Sequence, residues 1–510
     1  MNRKFTSTVA GASILLACIG ILSRSIGFFR EIIYANTFGL NKDFDIYLVG
    51  AVLPVIINTS ILYLSQNYFI PEYHRISPEN SSGRQNFLVK TFWTFIFFGI
   101  VTTLILFILK GIIIDNYLWN SDYQTKEITT VIFELFIFSI PFNAGYSILV
   151  SYLQAEFKFF HPALSQLFLN LPIIILVLFL NKDWGIYTIG AGYLLGSLIQ
   201  MSYLYFIIKG KIIPKISFII KPKGIRFGIN SSLIIIILIE IINQLYIVVD
   251  RYFFNFVETG GISSLNYANV LFVLPISIFS FALSTAIFPK LAEYFNIKNF
   301  TELEKYFYLS LKILVLLFVP LALIFFTEGD FFIRLFFQHG EFNFRDTTVT
   351  YNVLKMYTIS LVFYSVYALV NKMVYSAGLV KQLLIISVFI ISIKIVLNFL
   401  LVKSLMQDGL ALSSTISYIL ICLVCIWLVY TKLNFNKKIN LLTNITFYFC
   451  ISLMSYFISN SVIKLFEIDW LLGGSFKISM FALIFFGTIY LLHSDDSFIH
   501  ELLKRKDISN

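Results

Sequence analysis

The chain has 510 residues, 58% of them hydrophobic and 13% charged, about half the charged share of a soluble globular domain. That composition excludes an ordinary water-soluble fold. The net charge of +10 does not suggest nucleic-acid binding, because the basic residues fall in short connections between apolar runs.

A helix needs about 20 apolar residues to cross a bilayer. Fourteen such runs occur, near 9–29, 46–68, 91–114, 129–152, 162–181, 185–208, 230–250, 267–288, 308–327, 352–374, 383–402, 409–431, 442–464 and 470–492. They are continuous rather than alternating, which argues against a transmembrane barrel. The expected fold is an all-α polytopic membrane protein of about fourteen transmembrane helices.

The first run ends in Ser23-Arg24-Ser25-Ile26-Gly27-Phe28-Phe29-Arg30-Glu31. A cation at bilayer depth costs roughly 2.5–3.5 kcal/mol on insertion scales and usually faces a cavity or a pathway. Arg24 and Arg30 lie about 240° apart around a helix, so both can line a wide cavity. With Glu31, and with Asp45 heading the second run, they suit an anionic group such as phosphate, arginine supplying bidentate contacts. Local pairing of Arg30 with Glu31 at a helix end stays open beside that reading. Leu15-Leu16-Ala17-Cys18 looks like a lipoprotein cleavage box, but cleavage there removes most of the first span, so the span is expected to be retained.

Further along, Glu134 stands in the fourth run, and Glu240, Asp250 and Arg251 stand in the seventh. Lys394 lies alone in the middle of the eleventh and needs a counter-charge, for which Asp250 and Glu240 are the candidates. These residues either couple transport to an ion or form buried structural pairs. Asn58, Asn143 and Asn170 are expected to make interhelical hydrogen bonds. Cys18, Cys422, Cys425 and Cys450 all fall within spans and are expected to pack in the core rather than bind metal. No phosphate-cradling loop, HExxH or nucleophile elbow occurs, so the protein is expected not to be an enzyme and to hold no metal or cofactor.

With a cytoplasmic N-terminus, the loop carrying Lys209, Lys211, Lys215, Lys221, Lys223 and Arg226, the loop with Lys432, Lys437 and Lys438, and the tail with Lys504, Arg505 and Lys506 all fall inside. This positive-inside bias places both termini in the cytoplasm. The chain also repeats itself. Arg30 precedes Pro54 by 24 residues, as Arg251 precedes Pro275, and Gly39 matches Gly260 at the same offset of 221. Such matches suggest two six-helix lobes, 1–220 and 221–432, with two extra helices and a tail at 433–510. Paired lobes of equal orientation are an architecture of alternating-access carriers and need only one chain.

Several stretches carry a family resemblance: Ser23-Arg24 with Gly27-Phe28-Phe29-Arg30-Glu31, Phe38-Gly39, Asp45 ahead of Leu53-Pro54, Phe69-Ile70-Pro71, Ser263 to Ala268, Leu274-Pro275, Ile287-Phe288-Pro289, and Leu335 to Phe342 followed by Asp346. On these the chain resembles the MurJ/MviN lipid II flippases, within the multidrug/oligosaccharidyl-lipid/polysaccharide exporter superfamily. The resemblance implies a carrier in the bacterial inner membrane that flips an undecaprenyl-linked glycan precursor, with cavity charges at Arg24, Arg30, Glu31 and Asp45. It implies a sodium ligand at Asp250, and Na+ or H+ coupling or the membrane potential as driving force. It also likens the two C-terminal helices to a groove for the lipid tail. Two departures stand out. Val55 to Ser60 lacks arginines that the family usually has, and Tyr267-Ala268 is followed by Asn269-Val270, where the family usually has a further arginine. Lys394 stands in place of a sodium-site asparagine, with Asn398 at an acid position. Lipid II is the first-choice substrate. An O-antigen or capsule repeat unit competes with it, and a drug or cation antiporter, a polytopic glycosyltransferase and an inactive scaffold follow.

Overall fold

The computed structural model describes residues 25–208, 231–433, 435, 441–466 and 469–492. Among them every regular element is helical. Helix α1 occupies residues 25–38. It is followed by α2 (Lys42–Arg75), α3 (Ser81–Tyr117), α4 (Tyr123–Ile137), α5 (Ile140–Ala155), α6 (Phe160–Trp184), α7 (Tyr187–Ile208), α8 (Ser231–Tyr252), α9 (Gly261–Pro275) and α10 (Phe281–Asn296). Then come α11 (Phe300–Phe336), α12 (Phe344–Thr358), α13 (Leu361–Ser376), α14 (Val380–Leu433), α15 (Leu441–Ile463) and α16 (Trp470–Leu492). Every expected span from the second onward coincides with one of these helices, a pair of them, or half of α14. The first lies mostly outside the described residues. Among the described residues, ten helical stretches are long and apolar enough to cross a membrane, eleven if the bent pair α12–α13 is counted.

Local chemistry sets the helix ends. Asn41, Asn80 and Asp122 each accept a backbone N–H in the first turn of α2, α3 and α4, satisfying donors that a helix start leaves open. Pro141 sits at the start of α5, so the expected fourth span is two helices, α4 and α5. After Pro275 the chain makes a π-helical turn, Ile276–Ser280, before α10. Proline cannot donate to the helix ladder, and single π turns are a common local adjustment. The 54 residues of α14 are a hairpin: Met406 has φ 47°, and a Cβ on Gly409 would lie 2.6 Å from the carbonyl oxygen of Leu401.

The outward faces are apolar. Ile108 is 78% exposed, Phe179 77% and Leu483 76%, an arrangement suited to lipid and not to water. Cys422 and Cys425 are buried as expected, but Cys450 is exposed on α15. A polarizable thiol tolerates a lipid-facing position, so its apolar surroundings in sequence did not mean core.

The chain divides into two compact units. The first comprises the described residues of Met1–Val270, Phe336–Val353 and Leu379–Ser417. Within it α6 and α7 pack backbone to backbone: a Cβ on Gly192 would meet Ile173 Cα at 2.5 Å, and one on Gly196 the Leu169 carbonyl oxygen at 2.4 Å. Small residues permit such approach between membrane helices. Glu134 on α4 pairs with Lys110 on α3. The second unit comprises Leu271–Leu335, Leu354–Gly378 and the described residues of Tyr418–Asn510. There α11 breaks at Glu328 (φ −125°). The Glu328 carboxylate accepts from Lys477 Nζ of α16 at 2.6 Å and from the Tyr456 hydroxyl of α15 at 2.7 Å.

Candidate functional site

Arg30 faces inward from α1. One of its nitrogens donates to Asn170 Oδ1 of α6 at 3.0 Å and another to Glu31 Oε1 at 2.6 Å. Its guanidinium carbon lies 5.4 Å from the centre of the Tyr34 ring. The local pairing with Glu31 is present, and the same side chain also reaches across to α6. The second oxygen of Glu31 accepts from Asn266 Nδ2 of α9 at 3.1 Å. Asn266 Oδ1 in turn accepts from Arg251 at 3.4 Å, and Arg251 also donates to the carbonyl of Ile262 at 2.8 Å. Arg30 and Arg251, the two arginines at equivalent places in the repeat, are thus joined through Glu31 and Asn266.

Around this line stands a set of neutral polar groups. Asn58 Nδ2 donates to Ser139 Oγ at 3.1 Å and to the Tyr193 hydroxyl at 3.3 Å. Two atoms here are buried without a protein partner, Asn58 Oδ1 and Arg30 Nε. Unfilled hydrogen-bonding capacity beside a half-buried cation is what a polar ligand would use. Arg24 lies outside the described residues.

Asp45 takes a different place. Its carboxylate accepts from the backbone N–H of Gly260 and of Ser263, both at 2.6 Å, and from the Ser263 hydroxyl at 2.5 Å. It therefore anchors the N-terminus of α9, where a negative charge is favoured, and is 1% exposed. Three glycines with positive φ bring the neighbouring turns together. A Cβ would lie 2.6 Å from Glu341 O at Gly39, 2.7 Å from Leu40 at Gly260 and 2.3 Å from Asn36 O at Gly340. Glu341 N donates to Asn36 O at 3.0 Å across the same contact.

The second group of expected residues also assembles, with one exception. Lys394, 0% exposed, donates to Asp250 Oδ1 at 2.5 Å and to Ser414 Oγ at 2.8 Å. Asn398 Nδ2 donates to the same Asp250 oxygen at 2.9 Å, and Asn398 Oδ1 accepts from Ser413. Of the two acids offered to Lys394, Asp250 is its partner. Glu240 lies about 15 Å further back along α8, where it accepts from Gln244 one turn on, at 2.8 Å. A bound hard cation needs several oxygens converging on one point. Here two N–H donors occupy the best-placed carboxylate oxygen and the asparagine oxygen is already taken. The residues present do not fit a sodium ion. No cluster of His, Cys, Asp and Glu suited to a metal occurs among the described residues.

Sequence reading did not single out Asn266, Tyr34 or Tyr193, and it read Asn58 and Asn170 only as interhelical glue. Uncharged polar residues give no signal of which face they occupy. The arginine repeat and the family resemblance over Ser263 to Ala268 were the usable clues, because both point to the segment holding Asn266.

Comparison with known proteins adds an independent finding. The family described as "Lipid II flippase MurJ" matches residues 34–481. The "Probable lipid II flippase MurJ" of Borreliella burgdorferi is 27% identical over 493 residues, 94% of this chain and 93% of the relative. The "Lipid II flippase MurJ" of Thermosipho africanus is 27% identical over 414 residues, 80% and 83% of the two chains. Among solved structures, "Lipid II flippase MurJ, inward closed conformation" aligns with a TM-score of 0.79 at 23% identity, covering 94% of this chain and 99% of that one. An inward-facing multidrug resistance transporter of the MATE family aligns with a TM-score of 0.65 at 13% identity, covering 82% and 98%. Both structural likenesses establish the fold.

Proposed function

Because this chain belongs to the lipid II flippase MurJ family, we propose that it flips an undecaprenyl-linked cell-envelope glycan precursor, lipid II of peptidoglycan synthesis, across the bacterial inner membrane. The observation that carries this reading is the half-buried Arg30, held by the neutral amide of Asn170 and by Glu31, with Nε and the nearby Asn58 Oδ1 left unfilled. A headgroup phosphate can take the arginine as a charge-assisted partner, and Glu31 can fall back on Asn266. Asn58 and Tyr193 then offer hydrogen bonds to sugar or peptide groups. Arg24 belongs to the same cavity in this reading. Asp45 shapes it from outside by fixing α9.

The protein acts as a carrier, not as a catalyst of covalent change, and one chain suffices. Lobes 1–220 and 221–432 are its two moving halves, 433–510 adds the groove for the lipid tail, and both termini are cytoplasmic. The membrane potential or a proton gradient drives the cycle in this reading. The absence of arginines between Val55 and Ser60 favours a second reading, a flippase for another lipid-linked glycan such as an O-antigen or capsule unit.

The test is complementation in cells depleted of their own lipid II flippase, scoring survival and the sidedness of lipid II. The expected result is rescue by the full chain and its loss with Arg30→Ala. Failure of rescue by protein shown to be in the membrane would move the assignment to the other glycans, and the surface polysaccharide of a deletion strain would then identify the cargo.

A further inference from the structure

Lys394 is the most deeply buried cation among the described residues, and the contacts it makes are those of an ion in a site. Its ammonium meets a carboxylate oxygen of Asp250 and the hydroxyl of Ser414, and it stands 5.8 Å from the centre of the Tyr246 ring. The residues of the site come from three separate stretches: α8 supplies Asp250 and Tyr246, the first half of α14 supplies Lys394 and Asn398, and the second half supplies Ser413 and Ser414. The break at Met406 lets the halves of α14 run side by side, so that residue 394 faces 414 and 398 faces 413.

A carboxylate set among hydroxyls and an amide, at bilayer depth, requires a cation. A small monovalent ion and an alkylammonium answer that requirement with similar charge and size. We propose that Lys394 is a tethered counter-ion. Its ammonium does permanently, from within the chain, what a monovalent cation taken from solution would do for Asp250, so this site neither needs nor admits sodium. Its consequence for transport, a cycle not driven by a sodium gradient, rests on the flippase reading above. The closure of the site to cations does not.

A purely structural clamp would give the same static picture, and the two differ in what replaces the ammonium when it is removed. The experiment measures thermal unfolding of the purified full-length chain in detergent, in sodium chloride, choline chloride, methylammonium chloride and tetramethylammonium chloride at matched ionic strength. Wild type is expected to have one Tm in all four. Lys394→Ala leaves the carboxylate without its cation and is expected to lose about 5 °C or more in choline. It is expected to recover at least half of that loss in sodium or methylammonium, but not in tetramethylammonium, which is too large for the space vacated by a lysine side chain. Lys394→Ser also empties that space while keeping a hydroxyl, and serves, with the same expected recovery, if the alanine variant does not fold. Stabilisation of wild type by sodium over choline would overturn the proposal. So would a loss in both variants that no small cation restores, which would leave a clamp and nothing more. Because the readout is stability, failure of complementation bears on the flippase reading and leaves this result standing on its own.

Discussion

A single carboxylate can serve a ligand or a backbone, and the surroundings decide which. Asp45 accepts from two backbone N–H groups and a hydroxyl at the start of α9, whereas Glu31 shares its oxygens between a guanidinium and an amide that can reorient. Asp45→Ala should therefore lower stability, by about 2 kcal/mol for lost helix-start bonds to a charged acceptor, measurable as a fall in Tm of the purified protein. Glu31→Gln should leave Tm nearly unchanged and weaken complementation instead. Charge alone singled out both residues in the sequence, and their different duties were not legible there. The groups that bind Asp45 come more than two hundred residues later. The pairing of Lys394 with an acid was legible, because an unpaired lysine inside an apolar run has no other acceptable state. Which acid it chose depended on the level along α8 at which Lys394 arrives, beside Asp250 and not Glu240.

At the scale of elements, the apolar runs located the membrane helices because hydropathy over twenty residues is a bulk property that packing does not override. Their interruptions were legible in part. The breaks at Glu328 and Met406 fall where the expected spans 308–327 and 383–402 end, whereas the apolar runs pass straight over the breaks at Pro141 and after Pro275. The α6–α7 contact offers a direct check. Gly196→Leu drives a side chain into the backbone of Leu169 and should abolish a monodisperse peak in size-exclusion chromatography of the detergent-solubilised protein. Gly111→Leu on α3, where a Cβ meets nothing within 4 Å, should leave the peak unchanged.

For the whole molecule, alternating access by the proposed lobes 1–220 and 221–432 predicts that the turn after α1 parts from the turn between α11 and α12 at some stage of the cycle. These turns meet through the Asn36–Glu341 backbone bond and the close approach of Gly340. A disulfide joining Asn36→Cys to Glu341→Cys should hold them together. Complementation is then expected to fail under oxidising growth conditions and to return with reductant, and each single cysteine variant should complement throughout. Undiminished complementation by the crosslinked protein would place the opening elsewhere.

The ion pair between Glu328 and Lys477 also bears on how the chain is made. Helix α16 is the last described helix to leave the ribosome, and its lysine burdens membrane insertion by roughly 2.5–3.5 kcal/mol. Glu328, synthesised about 150 residues earlier, is the partner that removes that burden. Integration of α16 should then wait on a folded acceptor rather than proceed by hydropathy alone. A glycosylation-mapping reporter placed after Leu492 would read this as a mixed topology in Glu328→Ala, restored to a single topology when Lys477→Leu is added.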